Sequence, residues 1–151
     1  MKTEFRIKYV VLLSLLLTAV LAAGGCTNPE KAKAAHLSRG DAYLKDSKYQ
    51  EASIEYRNAI QIDDKLAAAH WGLARAYEGL QRGQEAFEEL RKTTQLDPGN
   101  LDAQAKLGTV YLQASRGRPE YIAEAERVAN EMLQKDSNYV EGHILMGSVL
   151  F

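Results

Sequence analysis

The chain has 151 residues, 46% of them hydrophobic and 26% charged, a balance that excludes an intrinsically disordered segment. Formal net charge is −1; setting aside the first 25 residues, with Lys2, Glu4, Arg6 and Lys8, leaves 16 basic against 19 acidic side chains, or −3, which excludes a basic footprint for nucleic acid. Cys26 is the only cysteine, so an intramolecular disulfide is excluded as well.

Lys2, Arg6 and Lys8 precede an apolar run from Tyr9 to Ala23, and Ala22, Ala23, Gly24 and Gly25 lead directly to Cys26. A charged flank, a short apolar stretch and a small-residue exit describe an export signal over residues 1–25. The run is 15 residues long, short of the roughly 20 that a spanning helix needs, and a retained membrane anchor is the alternative. Ala23-Gly24-Gly25-Cys26 resembles a bacterial lipobox, in which the cysteine is lipidated and becomes the mature N-terminus. Ala23 departs from the branched apolar residue usual there, and Thr27 rather than Asp follows the cysteine. The resemblance implies export and a lipid anchor on Cys26 in the outer membrane, facing the periplasm. Several acyl chains on one residue hold firmly where a single chain is marginal. Residues 26–32, with Pro29, read as a short lipidated tether.

Beyond it the residues recur at spacings of three and four, and the pattern predicts paired helices. In the first pair, residues 33–66, His36, Arg39, Gly40 and Tyr43 share one helical face, and Ala52, Tyr56 and Ala59 share another. Asp46-Ser47-Lys48 is the expected turn and Asp63-Asp64-Lys65 the expected exit. The second pair, 67–100, carries Leu73, Ala74, Tyr77, Ala86, Leu90 and Pro98. Sliding the chain by 34 places Tyr43 on Tyr77, Tyr77 on Tyr111, Ala52 on Ala86 and Asp63 on Asp97, and such a fixed period marks a stacked array. The third pair, 101–139, has Leu107, Gly108 and Tyr111, then five extra residues around Ser115 to Pro119 before Ala125, Ala129 and Met132 resume the pattern. The histidines agree: His36 and His70 are 34 apart, and His70 and His143 are 73 apart, twice 34 plus five. Residues 140–151 begin a fourth unit, and its Ile144, Leu145, Val149, Leu150 and Phe151 read as an interrupted core in a fragment of a longer array.

Gly40 with Tyr43, Ala52, Tyr56 and Ala59, and their counterparts Leu73, Ala74, Tyr77, Ala86 and Pro98, resemble the tetratricopeptide repeat. The second unit departs at Leu90 and Thr93, and the third has Ser137 in place of the proline. The resemblance implies an all-α solenoid of antiparallel helix-turn-helix hairpins, three full repeats and the first helix of a fourth. Small residues at Gly40, Ala52, Ala74, Ala86, Gly108 and Ala125 are expected to let helices approach, with Tyr43, Tyr77 and Tyr111 filling the space between hairpins. It also implies a non-catalytic scaffold that binds a protein or peptide in its concave groove.

In this family the second, fifth, ninth, twelfth and thirteenth places of each first helix face the ligand. Carried over, the fifth place gives Leu37, Trp71, Ala105 and Ile144, and the ninth gives Asp41, Arg75 and Thr109. The twelfth gives Leu44, Glu78 and Leu112, and the thirteenth Lys45, Gly79 and Gln113. An apolar stripe with a tryptophan and flanking charge suits a docked helix or extended peptide. Trp71 either faces that groove or occupies the hairpin core in place of His70.

The chain offers no Ser, His and Asp grouping, no glycine-rich phosphate loop and no metal-spaced cysteine pair, so no enzyme, metal or cofactor is expected. Three histidines at one repeat position are spaced along a stack instead of converging. Glu85, Glu88 and Glu89, and again Glu120, Glu124 and Glu126, read as solvated faces, and Arg116-Gly117-Arg118-Pro119 as a basic solvated loop. The run Ala34 to Leu44 and the closing segment are similar to repeat lipoproteins associated with exosortase and PEP-CTERM sorting, linked to exopolysaccharide export. The rivals are an outer-membrane or pilus assembly lipoprotein, and the binding region of a longer enzyme.

Overall fold

The computed structural model describes residues 28–116 and 118–150. The export signal at 1–25, Cys26, Thr27, Gly117 and Phe151 lie outside the described residues. Seven α-helices follow one another: α1 (Pro29–Lys45), α2 (Tyr49–Ile62), α3 (Ala67–Gly79), α4 (Gly83–Leu96), α5 (Leu101–Ala114), α6 (Pro119–Lys135) and α7 (Val140–Leu150). Among the described residues there is no strand, and no helix is long and apolar enough to cross a membrane. The fold is an all-α solenoid in which each helix packs on the next, within the unit Ala32–Phe151.

The first helix begins earlier than the sequence suggested, at Pro29, inside the stretch expected to be a tether. Asn28 Oδ1 accepts the Glu30 amide hydrogen at 3.0 Å, and proline suits a first turn because its missing donor would be unpaired there anyway. The cap and the proline together start the helix.

Two turn designs recur. At the end of α1 the Lys48 amide donates to the Tyr43 carbonyl (2.9 Å) and the Ser47 amide to Leu44 (3.1 Å); at the end of α3 the Arg82 amide donates to Tyr77 (2.9 Å) and Gln81 to Glu78 (2.9 Å). Each pair of bonds satisfies helix-end carbonyls through a residue in the left-handed region, Ser47 at φ 57° and Gln81 at φ 58°. Between hairpins, Asp63, Asp97 and Asp136 each accept the amide hydrogen two residues on, at 3.1, 3.0 and 2.9 Å, and so close the same tight turn. Asp136 stands 39 residues after Asp97, the period plus the five inserted residues. At the equivalent place in the third hairpin, Ser115 has φ −72°.

Close helix contact explains the glycines. A Cβ at Gly40 would lie 2.7 Å from the Tyr56 ring, and one at Gly72 would overlap the same ring from the other side. Tyr56, fully buried, is therefore clamped between α1 and α3. Gly108 makes the equivalent room for Leu145 of α7. Buried side chains fall into two clusters: one around Ala52, Tyr56, Leu73 and Tyr77, the other around Leu90, Leu107, Tyr111, Val128 and Met132. Helices α3 and α4 contribute to both.

In the first two repeats the fourth place ties the helices of the hairpin together. His36 Nδ1 lies 2.6 Å from Glu55 Oε2, and His70 Nδ1 lies 2.6 Å from Glu89 Oε2, each pair joining the two helices of one hairpin. His70 Nε2 also lies 3.1 Å from the Asp64 carbonyl oxygen, so both nitrogens of this buried ring face acceptors and only the doubly protonated ring satisfies both. Burial pulls the His70 pKa down, but Glu89 and the Asp64 carbonyl outweigh it and hold the pKa above its usual value. His143 makes the same reach to the Ser137 carbonyl at 2.9 Å. In the third hairpin that place holds Gln104, and Val128 stands where the glutamate would be.

Candidate functional site

The first helices of successive hairpins, α3, α5 and α7, present a common face. On it Trp71, Arg75 and Ala105 line one cavity of about 420 Å³ together with Asp102, Lys106, Tyr139 and Glu141. Trp71 is half-buried: its ring packs partly against the second hydrophobic cluster, while the Arg75 guanidinium lies 5.7 Å from the ring centroid. Cation and indole attract through the ring's negative face, which holds Arg75 over the tryptophan.

Charge around this cavity is mixed and mostly paired. Lys106 Nζ lies 2.8 Å from Glu78 Oε2, bridging α5 to α3. The Tyr139 hydroxyl donates to Asp102 Oδ1 at 2.9 Å, and burial together with that bond pushes the Tyr139 pKa up to about 12. Arg75 has no ion pair to a described carboxylate. Nearer the N-terminus, the Tyr56 hydroxyl donates to Asp41 Oδ1 at 2.7 Å, and burial first, then Asp41, raises the Tyr56 pKa.

The other groove candidates separate. Leu37 and Leu44 are half-buried against the first hydrophobic cluster and Leu112 against the second, as Trp71 and Ala105 also are. The Thr109 hydroxyl donates to the Ala105 carbonyl at 2.9 Å, and Ile144 stands 62% exposed on α7. Of the packing residues, Gly40, Ala52, Tyr56, Ala74, Tyr77, Ala86, Gly108, Tyr111 and Ala125 are buried, and Tyr43 is half-buried against the first cluster. Cys26 lies outside the described residues. Asp102, Lys106, Tyr139 and Glu141 were not singled out from the sequence. Asp102 and Glu141 occupy the second place of their repeats, so the repeat register alone could have found them; Tyr139 and Lys106 needed the coordinates. Among the described residues, no three His, Cys, Asp or Glu side chains converge to hold a metal ion.

The sequence model described as TPR repeat matches residues 40–81. No curated protein matches the chain. Among solved structures it is similar to the second TPR domain of the human RPAP3 protein in complex with HSP70 peptide SGPTIEEVD, at 21% identity over 82% of this chain and 99% of that one, with a TM-score of 0.69. It is also similar to the first TPR of Spaghetti (RPAP3) bound to HSP90 peptide SRMEEVD, at 19% identity over 80% of this chain and 91% of that one, TM-score 0.65. Pseudomonas aeruginosa pilF is similar at 25% identity over 82% of this chain and 54% of that one, TM-score 0.62. The chain thus carries a tetratricopeptide repeat at residues 40–81 and has the fold of a tetratricopeptide-repeat solenoid.

Proposed function

We propose that this protein is a non-catalytic scaffold, held to a membrane by lipid on Cys26 after export, that binds a segment of another protein on the face of its first helices. The observation that carries the reading is the half-buried Trp71 beneath Arg75 in a cavity of about 420 Å³. A large amphipathic ring in a partly desolvated pocket is the usual anchor for a docked side chain. Two of the similar solved domains hold peptides, which supports the same use here. The peptides in those complexes are acidic, whereas Asp102 and Glu141 balance Arg75 and Lys106 around Trp71. The groove therefore offers an acidic tail no net positive charge and suits an apolar side chain. The likeness of Ala34 to Leu44 to PEP-CTERM-associated lipoproteins directs the search for that partner to sorting and exopolysaccharide export.

Affinity capture from envelope extracts with the wild-type chain and Trp71→Ala tests the groove. Truncating a buried aromatic anchor is expected to cut recovery of specific partners by about tenfold or more. Equal recovery by both proteins would remove the groove as the binding site. For the anchor, Cys26→Ser is expected to abolish incorporation of labelled fatty acid and to move the protein from the membrane to the soluble fraction; unchanged labelling rules out lipidation at that residue.

A further inference from the structure

Helix α7 stands in the register of α3, 73 residues on: His143, Met146, Gly147 and Leu150 take the places of His70, Leu73, Ala74 and Tyr77. In α3 those four are buried, Tyr77 to 7% exposure, with α4 packed across the helix. On α7, which packs on α5 and α6, His143 is exposed, Met146 and Gly147 are half-exposed, and Leu150 is 71% exposed. Spacings of three and four put these residues on one face, with exposed Val140 and Ile144 along its edge. The one charged residue of α7 outside this face, Glu141, lines the Trp71 cavity instead.

Two features of the face state what fits it. His143 repeats the anchoring of His70: its Nε2 lies 2.9 Å from the Ser137 carbonyl oxygen, as His70 Nε2 lies 3.1 Å from that of Asp64. A carbonyl only accepts, so Nε2 carries the hydrogen, and Nδ1 has no partner among the described residues. In the first two hairpins that same nitrogen meets a glutamate of the second helix at 2.6 Å, Glu55 and Glu89. Gly147 in turn repeats Gly40. A Cβ at Gly40 would lie 2.7 Å from the Tyr56 ring, whereas one at Gly147 would meet nothing within 4 Å. The hollow over Gly40 holds a tyrosine, and the one over Gly147 is open. Glu55 and Tyr56 are consecutive, as are Glu89 and the fully buried Leu90. Twice in this chain, then, the histidine and the small residue four places on receive a glutamate followed at once by a large side chain.

We propose that this face of α7 docks an amphipathic helix of another protein, one in which a glutamate directly precedes tyrosine or another large apolar residue. The glutamate meets His143 Nδ1 through a charge-assisted hydrogen bond, and the large side chain seats over Gly147 between Met146 and Leu150. Laying one apolar helix face on another removes both from water. A second copy of this chain has no such pair to offer among the described residues. Tyr56, Leu90 and Met132, which follow Glu55, Glu89 and Glu131, are buried, and Tyr121, after Glu120, stacks on Tyr111.

Fluorescence anisotropy with the full chain tests this, using as probe a labelled peptide of the α2 sequence, Tyr49–Ile62, capped at both ends. Its Tyr56→Ala counterpart is expected to bind about tenfold more weakly, although alanine favours the helix, and its Glu55→Gln counterpart about fivefold more weakly. On the protein, Gly147→Leu fills the hollow and is expected to weaken the probe by about tenfold. A side chain there meets no neighbour, so the fold is kept, which far-UV circular dichroism checks. His143→Ala is expected to erase the difference between the probe and its Glu55→Gln counterpart. Trp71→Ala is expected to leave the probe's affinity unchanged, which separates failure of this site from failure of the groove. Equal affinity for all three peptides, or binding that Gly147→Leu leaves intact, overturns the proposal. So does a wild-type dimer in sedimentation that Gly147→Leu converts to monomer, which would assign the face to a second copy.

Discussion

Ser47 and Gln81 occupy one place in two successive turns, each with positive φ and a side chain that this conformation disfavours. An L residue there costs roughly 1 kcal/mol through crowding of its Cβ against the carbonyl. Gln81→Gly is therefore expected to stabilise the fold by about 1 kcal/mol in urea unfolding. Ser115→Gly, at φ −72°, is expected to bring no gain, because nothing is strained there. Gly72 and Gly147 make the opposite contrast. Gly72→Ala drives a methyl into the Tyr56 ring and is expected to cost about 1 to 3 kcal/mol. Gly147→Ala meets nothing within 4 Å, so the gain in helix propensity, about 0.5 to 1 kcal/mol, should appear unopposed. What separates these two glycines is the neighbour facing each one.

Within a hairpin, the pairing of His70 with Glu89 couples stability to pH. The His70 pKa is raised in the folded protein, so its contribution is fully present below the unfolded value of about 6.5 and is lost as pH rises through the folded value. The melting temperature is expected to fall between pH 6 and pH 9, and His70→Gln to flatten that fall. A profile identical in the variant would show that the pair contributes nothing measurable. The third hairpin has no such link, because Gln104 and Val128 stand in the two places. Its second helix α6 carries exposed Arg127 bridges to Glu124 and Glu131, and pairs of that kind are worth little. In that hairpin, cavities of about 470 Å³ lie between α4 and α6 around Phe87, Tyr111 and Tyr121.

Among the described residues, buried side chains form two clusters that share α3 and α4. Alanines such as Ala74, Ala76 and Ala86 hold the helices close where the clusters meet, but their short side chains bridge little. Ala59→Gly in α2 and Ala129→Gly in α6 lie in different clusters, and each is expected to cost about 1 kcal/mol or more. Their effects should add to within about 0.5 kcal/mol, since stacked repeats communicate through nearest neighbours. A larger coupling energy from the double mutant in urea unfolding would mean that the stack behaves as one unit.

The 34-residue period, the five inserted residues and the all-α hairpin architecture were determined by the sequence alone, because helix-period spacing and repeated small and aromatic positions depend on local chemistry. Which places of each first helix face a ligand was implied only by the resemblance to the repeat family. Which residues on that face remain available to a partner was decided only by the tertiary structure. Leu37, Leu44 and Leu112 share the predicted face with Trp71 and are half-buried as it is, yet it is Trp71, Arg75 and Ala105 that meet at the cavity. The cavities between α4 and α6 were equally out of reach, since they depend on how far α6 stands from α4. Periodicity specifies direction along one helix; exposure depends on the distance to the next.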